Sequence, residues 1–597
     1  MIKVKQLIGS IDIRFWNHVC KDRTFADIID FEDIDREEFL KEVAISIIKG
    51  TFHFSPPFYF YAPKSMGILR KIKSYELGAT CIYYFCIKSI QDELIQEIKK
   101  VNNVFGGFRM TDDLKLTPQK VINLKTGVKE EAKDHEGELQ DTDSKNKSPG
   151  PKSEDEKPKN ESIKKLNKGD DILIEPDDSY AVVPGILSKY AYRQEWSDYQ
   201  NLAKKLHEDN YDFYIHIDIA HFYNDINLNI LEKTVRSTVH RRDKIIDLLF
   251  FFLKNSDRNE DGFDRTTVGI PQEDVGEMSR LLANFYLTPF DKEVSKLGEI
   301  ELLKKSNFIY TRYADDIWIA YNGSEELAYH IIQRISLNLN DLKLHINEKK
   351  LTVLNNREFG QYWKFEIWHE LKQNLKDVNY LVDLKDRLYY GDVTGRWYSP
   401  FSYALTIIMN NYHGGIFEKN NESTEKLVQQ LLNTPQLALS GGRKMKPRVK
   451  DFFVRILEDN SNVLNTFKEY LRSESLVYPS QEYFLYQVIC SFSNKDEVYS
   501  FIKDEYFKAK SNDYSWFSKI IMLQFFIDNI DLIENDLAYQ EKLIKHLGEI
   551  SNFANYYERR YNIRLLMKFR DNAGQGVLEN FYNKPEDLKF IKFIKRK

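Results

Sequence analysis

The sequence predicts a mixed α+β N-terminal half followed by an all-α C-terminal domain. Three observations predict it. In "NFIYTRYADDIWIAYNG" (307–323), Ile309, Thr311 and Tyr313 alternate with other residues before an acidic pair, and Ile317, Ile319 and Tyr321 alternate after it. Period-two patterning on both sides of a short polar tip is the pattern of a β-hairpin. In "YDFYIHIDIA" (211–220) a strand-like run from Phe213 to Ile217 ends on Asp218. From about residue 375 onward, segments such as "VKDFFVRILEDNSNVLNTFKEYLRS", "SQEYFLYQVICSF" and "FSKIIMLQFFIDNIDLI" have helical periodicity and are joined by short polar breaks.

Taken in order, residues 1–126 mix element types: "FHFSPPFYFYAPKS" is strand-like and punctuated by proline, and "YELGATCIYYFCIKSIQDELIQEIKK" reads as a long amphipathic helix. Residues 127–172 hold no Phe, Tyr or Trp and are dominated by Lys, Glu, Asp, Ser, Asn and Pro. Such a segment cannot bury enough apolar surface to offset its ordering entropy. The expectation is a disordered insertion, either a tolerated surface loop or a docking segment. Helices are expected over 193–207, 228–255, 276–298 and near 325–341, around the strand and the hairpin. The C-terminal pattern allows stacked helix pairs of helical-repeat type, although no fixed-period repeat is visible.

A chain of 597 residues has room for roughly three or four domains. Its net charge of -5 excludes a uniformly basic nucleic-acid coat, so any nucleic-acid site must be a local basic channel. The cysteines Cys20, Cys81, Cys86 and Cys490 are scattered, with no C-x-x-C pair. This argues against a structural zinc or a disulfide framework and fits a reducing compartment. The opening "MIKVKQLIGSIDIRFW" lacks the apolar run of a signal peptide. No apolar stretch of about 18 residues suggests a membrane span.

Asp315 and Asp316 are adjacent like charges in an apolar setting, and something must offset their repulsion. Solvent does so at a surface turn. A divalent metal does so as well, because Mg²⁺ takes oxygen ligands and often needs only one or two carboxylates plus substrate phosphates. Asp218 supplies a further carboxylate, though a strand-terminal Asp decides nothing alone. Five residues on stands Tyr223, beside Phe222. "VGIPQEDVGEMSRLLANFYLTPFD" sets a Gly-Ile-Pro-Gln turn containing Gln272 ahead of a helix with Ser279, Ala283 and Asn284. "YAPKSMGILRKI" places Lys64 and Arg70 around a turn at Gly67, where a solvated basic turn is the other reading.

In this order the stretches resemble the reverse-transcriptase domain of prokaryotic retroelement-like polymerases. The opening hairpin looks like the family's Y-x-D-D element and Asp218 like the first palm aspartate. "APKSMGILRKI" looks like the fingers element P-K-x-x-G-x-x-R, and "LKLHINEKKLTV", with Asn347 and Lys350, like the L-N-x-x-K element. The resemblance covers roughly 50–360, apart from the insertion. It implies a right-hand polymerase with an antiparallel palm sheet. The implied divisions are 1–126 for the N-terminal region and fingers, 173–360 for fingers and palm, 361–420 for a thumb-like region and 421–597 for the α-helical domain.

The resemblance also implies roles. Asp218 and Asp315, with Asp316 in support or reaching a metal through water, would hold two Mg²⁺ ions, with Mn²⁺ as the alternative. Lys64 and Arg70 would clamp the triphosphate, and Tyr223 would sit under the sugar and select dNTPs. Gln272 would pack near the nucleotide, and Lys350 would protonate the leaving pyrophosphate, although a solvated helix end explains that lysine equally well. One departure stands out. Gln272 and Ser279 are seven apart where five is common, and Glu273 stands where glycine is usual, so this loop must take its own path.

The long helical tail and the absence of a Cys/His nuclease cluster resemble the abortive-infection and defence-associated reverse transcriptases of bacteria. That implies a cytoplasmic bacterial enzyme, DNA synthesis with or without a template, priming on a protein tyrosine, and oligomerisation through the tail. A retron-like or mobile-element enzyme copying a cognate noncoding RNA, and a degenerate palm serving as a nucleic-acid scaffold, are the competing readings. The basic stretches "GGRKMKPRVKDFF" (441–453) and "KFIKFIKRK" (589–597) read as solvated faces or as phosphate tracks.

Overall fold

The computed structural model describes residues 4–11, 13, 16, 35–54, 57–63, 69–106, 121–122, 129–130, 189–255, 267–273, 278–300, 303–304, 306–374, 377–392, 404, 408, 421–433, 439–440, 444–445, 447–459, 462–473, 479–508, 516–551, 553–554, 556–569 and 574–595. Lys64, Gly67, Cys20 and nearly all of the 127–172 insertion lie outside the described residues. The chain divides into one unit of Met1–Met110 with Ile174–Lys597 and a second of Thr111–Leu173, in which the two-residue strands Val121–Ile122 and Lys129–Glu130 pair antiparallel.

In the first unit, helix Arg36–Lys49 begins where Asp35 accepts the Glu38 N–H at 2.7 Å and ends at Gly50, whose φ of 67° is the left-handed stop. A hairpin follows, β1 (Phe58–Pro63) against β2 (Leu69–Ser74). Helix Leu77–Ile98 departs from the amphipathic expectation. Every residue from Leu77 to Ile87 is buried, because helices Asp243–Asn255 and Met278–Tyr286 pack against it; only its second half alternates.

The central sheet has the order β3-β7-β8-β6-β9, with β3 Val104–Phe105, β6 Phe213–Asp218, β7 Ile309–Tyr313, β8 Asp316–Tyr321 and β9 Thr352–Asn355. It is mixed rather than antiparallel throughout, because β3 joins β7 in parallel, Val104 opposite Arg312. Period-two alternation gives the sheet two different faces. Ile215, Ile217, Ile317, Ile319 and Tyr310 enter a core shared with the N-terminal helices. Tyr214, Trp318, Ala320 and Tyr313 enter an aromatic layer with Trp196 and Tyr199 of helix Lys189–Glu208 and Phe359 and Trp363 of helix Asn356–Trp363. The second of these helices starts in a reciprocal capping box between Asn355 and Glu358.

The expected 228–255 helix is two, Leu228–Thr238 and Asp243–Asn255, separated where Arg241 takes a φ of 61°. The expected 276–298 helix likewise breaks at Leu287, with Pro289 opening the next turn. The C-terminal segments from Asn421–Leu432 to Pro585–Ile594 are helical and build a core, but the region is not all-α as expected, because the two-residue strands Leu439–Ser440 and Lys444–Met445 pair antiparallel within it. Ion pairs there reach past the intervening helices: Lys468–Glu497 at 2.9 Å and Arg472–Glu505 at 2.6 Å join Asn462–Arg472 to Lys495–Lys508, and Lys503–Asp536 at 3.1 Å joins the latter to the cap of Leu537–Ile550. Among the described residues no helix is long and apolar enough to cross a membrane.

Among the described residues, the first hairpin meets the C-terminal core at Ile72. β1 packs beside helix Pro479–Cys490, and Ile72 of β2 is buried in the C-terminal core. Ile72→Ala should therefore cost about 2–5 kcal/mol, the usual range for emptying a buried isoleucine site. The loss should register in helix Pro479–Cys490. Hydrogen exchange would read it as faster exchange of that helix; unchanged protection there would show that the contact carries no stability.

Candidate active site

β6 and β8 run antiparallel in a register that sets Asp218 opposite Asp316. The chain turns between β7 and β8 through Ala314 and Asp315, and Ala314 has a φ of 52°. A left-handed conformation costs a non-glycine residue roughly 1–2 kcal/mol, so the turn needs anchors. The Ala314 N–H donates to the Phe105 carbonyl at 3.3 Å, and its own carbonyl accepts from Arg312 Nη1 at 3.0 Å. Gly106, with a φ of 88°, lies so close that a Cβ there would stand 3.1 Å from the Ala314 nitrogen. Its N–H is held by Glu195 at 2.9 Å.

Arg312 is fully buried, at 0 % exposure. Its Nε and Nη2 donate to the two oxygens of Asp291 at 2.6 and 2.5 Å. Its remaining donors reach the side chain and the backbone carbonyl of Asn284. Tyr310 donates its hydroxyl to Asp291 at 2.6 Å. Burial alone would lower the Arg312 pKa, but Asp291 raises it above the ordinary value, so the guanidinium stays charged. Burial, with the Asp291 charge beside it, pushes the Tyr310 phenol well up, so it remains a donor.

The acids have different surroundings. Asp316 accepts from His216 Nε2 at 2.7 Å and from the Tyr199 hydroxyl at 3.0 Å. Asp218 accepts from Asn347 Nδ2 at 3.0 Å and lies 3.1 Å from Lys350 Nζ. The Asn347 N–H also donates to the Asp218 carbonyl at 2.8 Å. Asp315 sits half-buried in the turn. The structure thus brings Asp218, Asp315, Asp316 and Lys350 together.

Tyr223 and Gln272 form a second group. The Tyr223 carbonyl accepts the Ile270 N–H at 2.9 Å, and Gly269, with a φ of 93°, packs against the Asn224 carbonyl. The Gln272 carbonyl accepts the Lys73 N–H at 2.8 Å, which ties β2 to this loop. Glu273, where glycine is usual, is buried and accepts the Ser279 N–H at 3.1 Å, so it serves the start of helix Met278–Tyr286. Ser279 in turn meets the Tyr83 hydroxyl at 2.9 Å. Arg70 stands on the hairpin, in phase with the buried Ile72, while Lys71 and Lys73 face the other way.

Sequence reasoning missed Tyr199, His216, Arg312 and Asp291. Two of these carried a signal. His216 is in phase with Asp218, and Arg312 occupies an inward position in phase with Tyr310, where a charge requires a partner. Tyr199, on a helix far along the chain, carried none.

Residues 159–381 match the family described as reverse transcriptase (RNA-dependent DNA polymerase), so the chain carries a domain of that nucleotidyltransferase type. No curated protein matches the chain. Solved structures that overlap it include telomerase from Candida tropicalis with a TWJ fragment of telomeric RNA, at 10% identity, 50% of this chain, 54% of that chain and a TM-score of 0.24. The Candida albicans telomerase with its TWJ fragment gives 11%, 51%, 52% and 0.23. The apo Candida tropicalis enzyme gives 10%, 49%, 56% and 0.24. The chain spans about half the length of these telomerase chains, 52% to 56%.

Asp291→Asn should destabilise the fold by about 3–5 kcal/mol, because it leaves the Arg312 charge buried without its counter-ion. Arg312→Lys should cost less, since it keeps the charge and loses the fork. Denaturant midpoints measure both, and an Asp291→Asn midpoint equal to that of the parent would refute the anchoring role.

Proposed function

We propose that the reverse-transcriptase domain carried by this chain makes it a DNA polymerase, RNA-directed or template-independent, that adds dNTPs in bacterial anti-phage defence. The observation that supports the reading most is the opposition of Asp218 to Asp316, with Asp315 in a turn that the chain holds in an unfavourable conformation. The defence role, and priming on a tyrosine of the protein, are supported by the helical tail that follows the domain and its resemblance to the bacterial defence enzymes.

The residues fit a divalent metal. Asp218 already draws a cation, the Lys350 ammonium, from a side chain that is 53% exposed. Among the described residues no group of three His, Cys, Asp or Glu side chains is arranged to hold a metal alone. Mg²⁺ completed by substrate phosphates needs no such group. When bound, two Mg²⁺ or Mn²⁺ ions activate the attacking hydroxyl and stabilise the leaving oxygen.

The chain's own groups do the rest. Asp218, at the end of β6, and Asp315, in the β7–β8 turn, present carboxylate oxygens. Lys350, released from Asp218, gives a proton to the departing diphosphate. The Tyr223 ring lies under the sugar and leaves no room for a 2′-hydroxyl, and Gln272 packs beside it. Lys64 and Arg70 hold the triphosphate, Arg by a planar fork and Lys as a point charge. DNA or RNA occupies the cleft, with a noncoding RNA as one template source, and the tail provides the surface for a homo-oligomer.

Purified protein given Mg²⁺ and labelled dNTPs, without template or primer, should make DNA whose gel mobility changes on protease treatment. The Asp315→Asn, Asp316→Asn double variant should lose at least about 100-fold, since metal stabilisation is worth several kcal/mol. Chelation should stop synthesis and leave the helical circular dichroism unchanged. Product formed only when RNA is added would favour the RNA-copying enzyme, and no product under either condition would overturn the polymerase reading.

A further inference from the structure

We infer that His216 and Tyr199 are positioning residues for Asp316, holding both oxygens of its carboxylate so that Asp218 and Asp315, and not Asp316, meet the metal. The inference rests on the polymerase reading and assigns the parts of that site.

The two donors are fixed. His216 stands opposite Trp318 across β6 and β8, and its ring stacks on the indole at 4.5 Å and 21°. From there Nε2 reaches diagonally to Asp316. An ionised carboxylate only accepts, so Nε2 carries the proton. Tyr199 is buried against Phe105 at 5.7 Å, Tyr313 at 5.5 Å and Trp363 at 5.7 Å. Neither ring has an open direction in which to turn. Turning Asp316 toward a metal would break both of these buried hydrogen bonds, at about 0.5–1.5 kcal/mol each, or more for a charged acceptor.

Asp218 differs in the partner that matters. Its ammonium neighbour is on a half-exposed, flexible side chain, which water or another cation can replace at little cost. One of the contacts on Asp218 can thus be exchanged, whereas both donors on Asp316 come from buried rings. Fixing Asp316 also constrains the Asp315 backbone, because the two residues share one peptide unit at the end of a turn that the Ala314 contacts hold.

The test uses the full-length protein with Tyr199→Phe, His216→Gln and the single Asn variants of the three acids. Mn²⁺ affinity is followed by the paramagnetic resonance of free Mn²⁺, and kcat and KM for dNTP are measured alongside. Asp218→Asn and Asp315→Asn should weaken Mn²⁺ at least about tenfold, and Asp316→Asn less than about threefold. Tyr199→Phe should lower kcat about tenfold with KM unchanged, the mark of a group misplaced in the transition state. His216→Gln, which keeps an N–H donor, should retain more activity than His216→Phe. Equal loss of Mn²⁺ affinity in Asp316→Asn and Asp218→Asn would overturn the assignment and leave the polymerase reading standing, as would unchanged kcat in Tyr199→Phe. Mn²⁺ affinity indifferent to all three acids would overturn both.

Discussion

The buried pair of Arg312 and Asp291 is the constraint on which the site depends. Burying two charges costs several kcal/mol per ion before their attraction is counted. Here that cost is offset by a bidentate fork, a phenol and an amide, so nearly every donor of the guanidinium is used. What results is specific in space. Asp291 belongs to helix Thr288–Ser295 and Asn284 to helix Met278–Tyr286, while Arg312 belongs to β7 and reaches the carbonyl of Ala314. Two helices and a strand are thereby joined to the turn that carries Asp315. The left-handed residue is affordable because the network fixes it from behind.

The sheet's two faces share this work unequally. Arg312 acts from the helix-covered face, behind the turn, while His216 and Tyr199 act from the aromatic face. Asp218 and Asp316 lie at the ends of their strands, in phase with the aromatic face. The loop bearing Gln272 and the segment bearing Tyr223 zip together, and the Lys73 amide connects both to the first hairpin. Glu273 has a role there that glycine could not fill, because its carboxylate accepts the Ser279 N–H at the start of the following helix.

Much of this was legible in the sequence where the cause is local. The strand ending on Asp218 and the hairpin around Asp315 follow from alternation over a few residues, and the structure places both where alternation put them. The C-terminal helices follow from periodicity in the same way. The misses have non-local causes. β3 is two residues long and pairs with β7 across most of the N-terminal half, so no local pattern marks it. Helix Leu77–Ile98 reads as amphipathic because Thr80, Tyr83 and Tyr84 are polar in name, yet neighbouring helices bury them. Tyr199 reaches Asp316 only through the tertiary fold.

Ile72 has a consequence in time. The hairpin that carries it is made well before helix Pro479–Cys490, which packs beside it. At translation rates of about 5–20 residues per second, helix Pro479–Cys490 follows Ile72 by roughly 20–80 s. Throughout that interval β2 waits on the ribosome with its apolar side chain uncovered. The hairpin therefore reaches its final packing only after that helix has been synthesised.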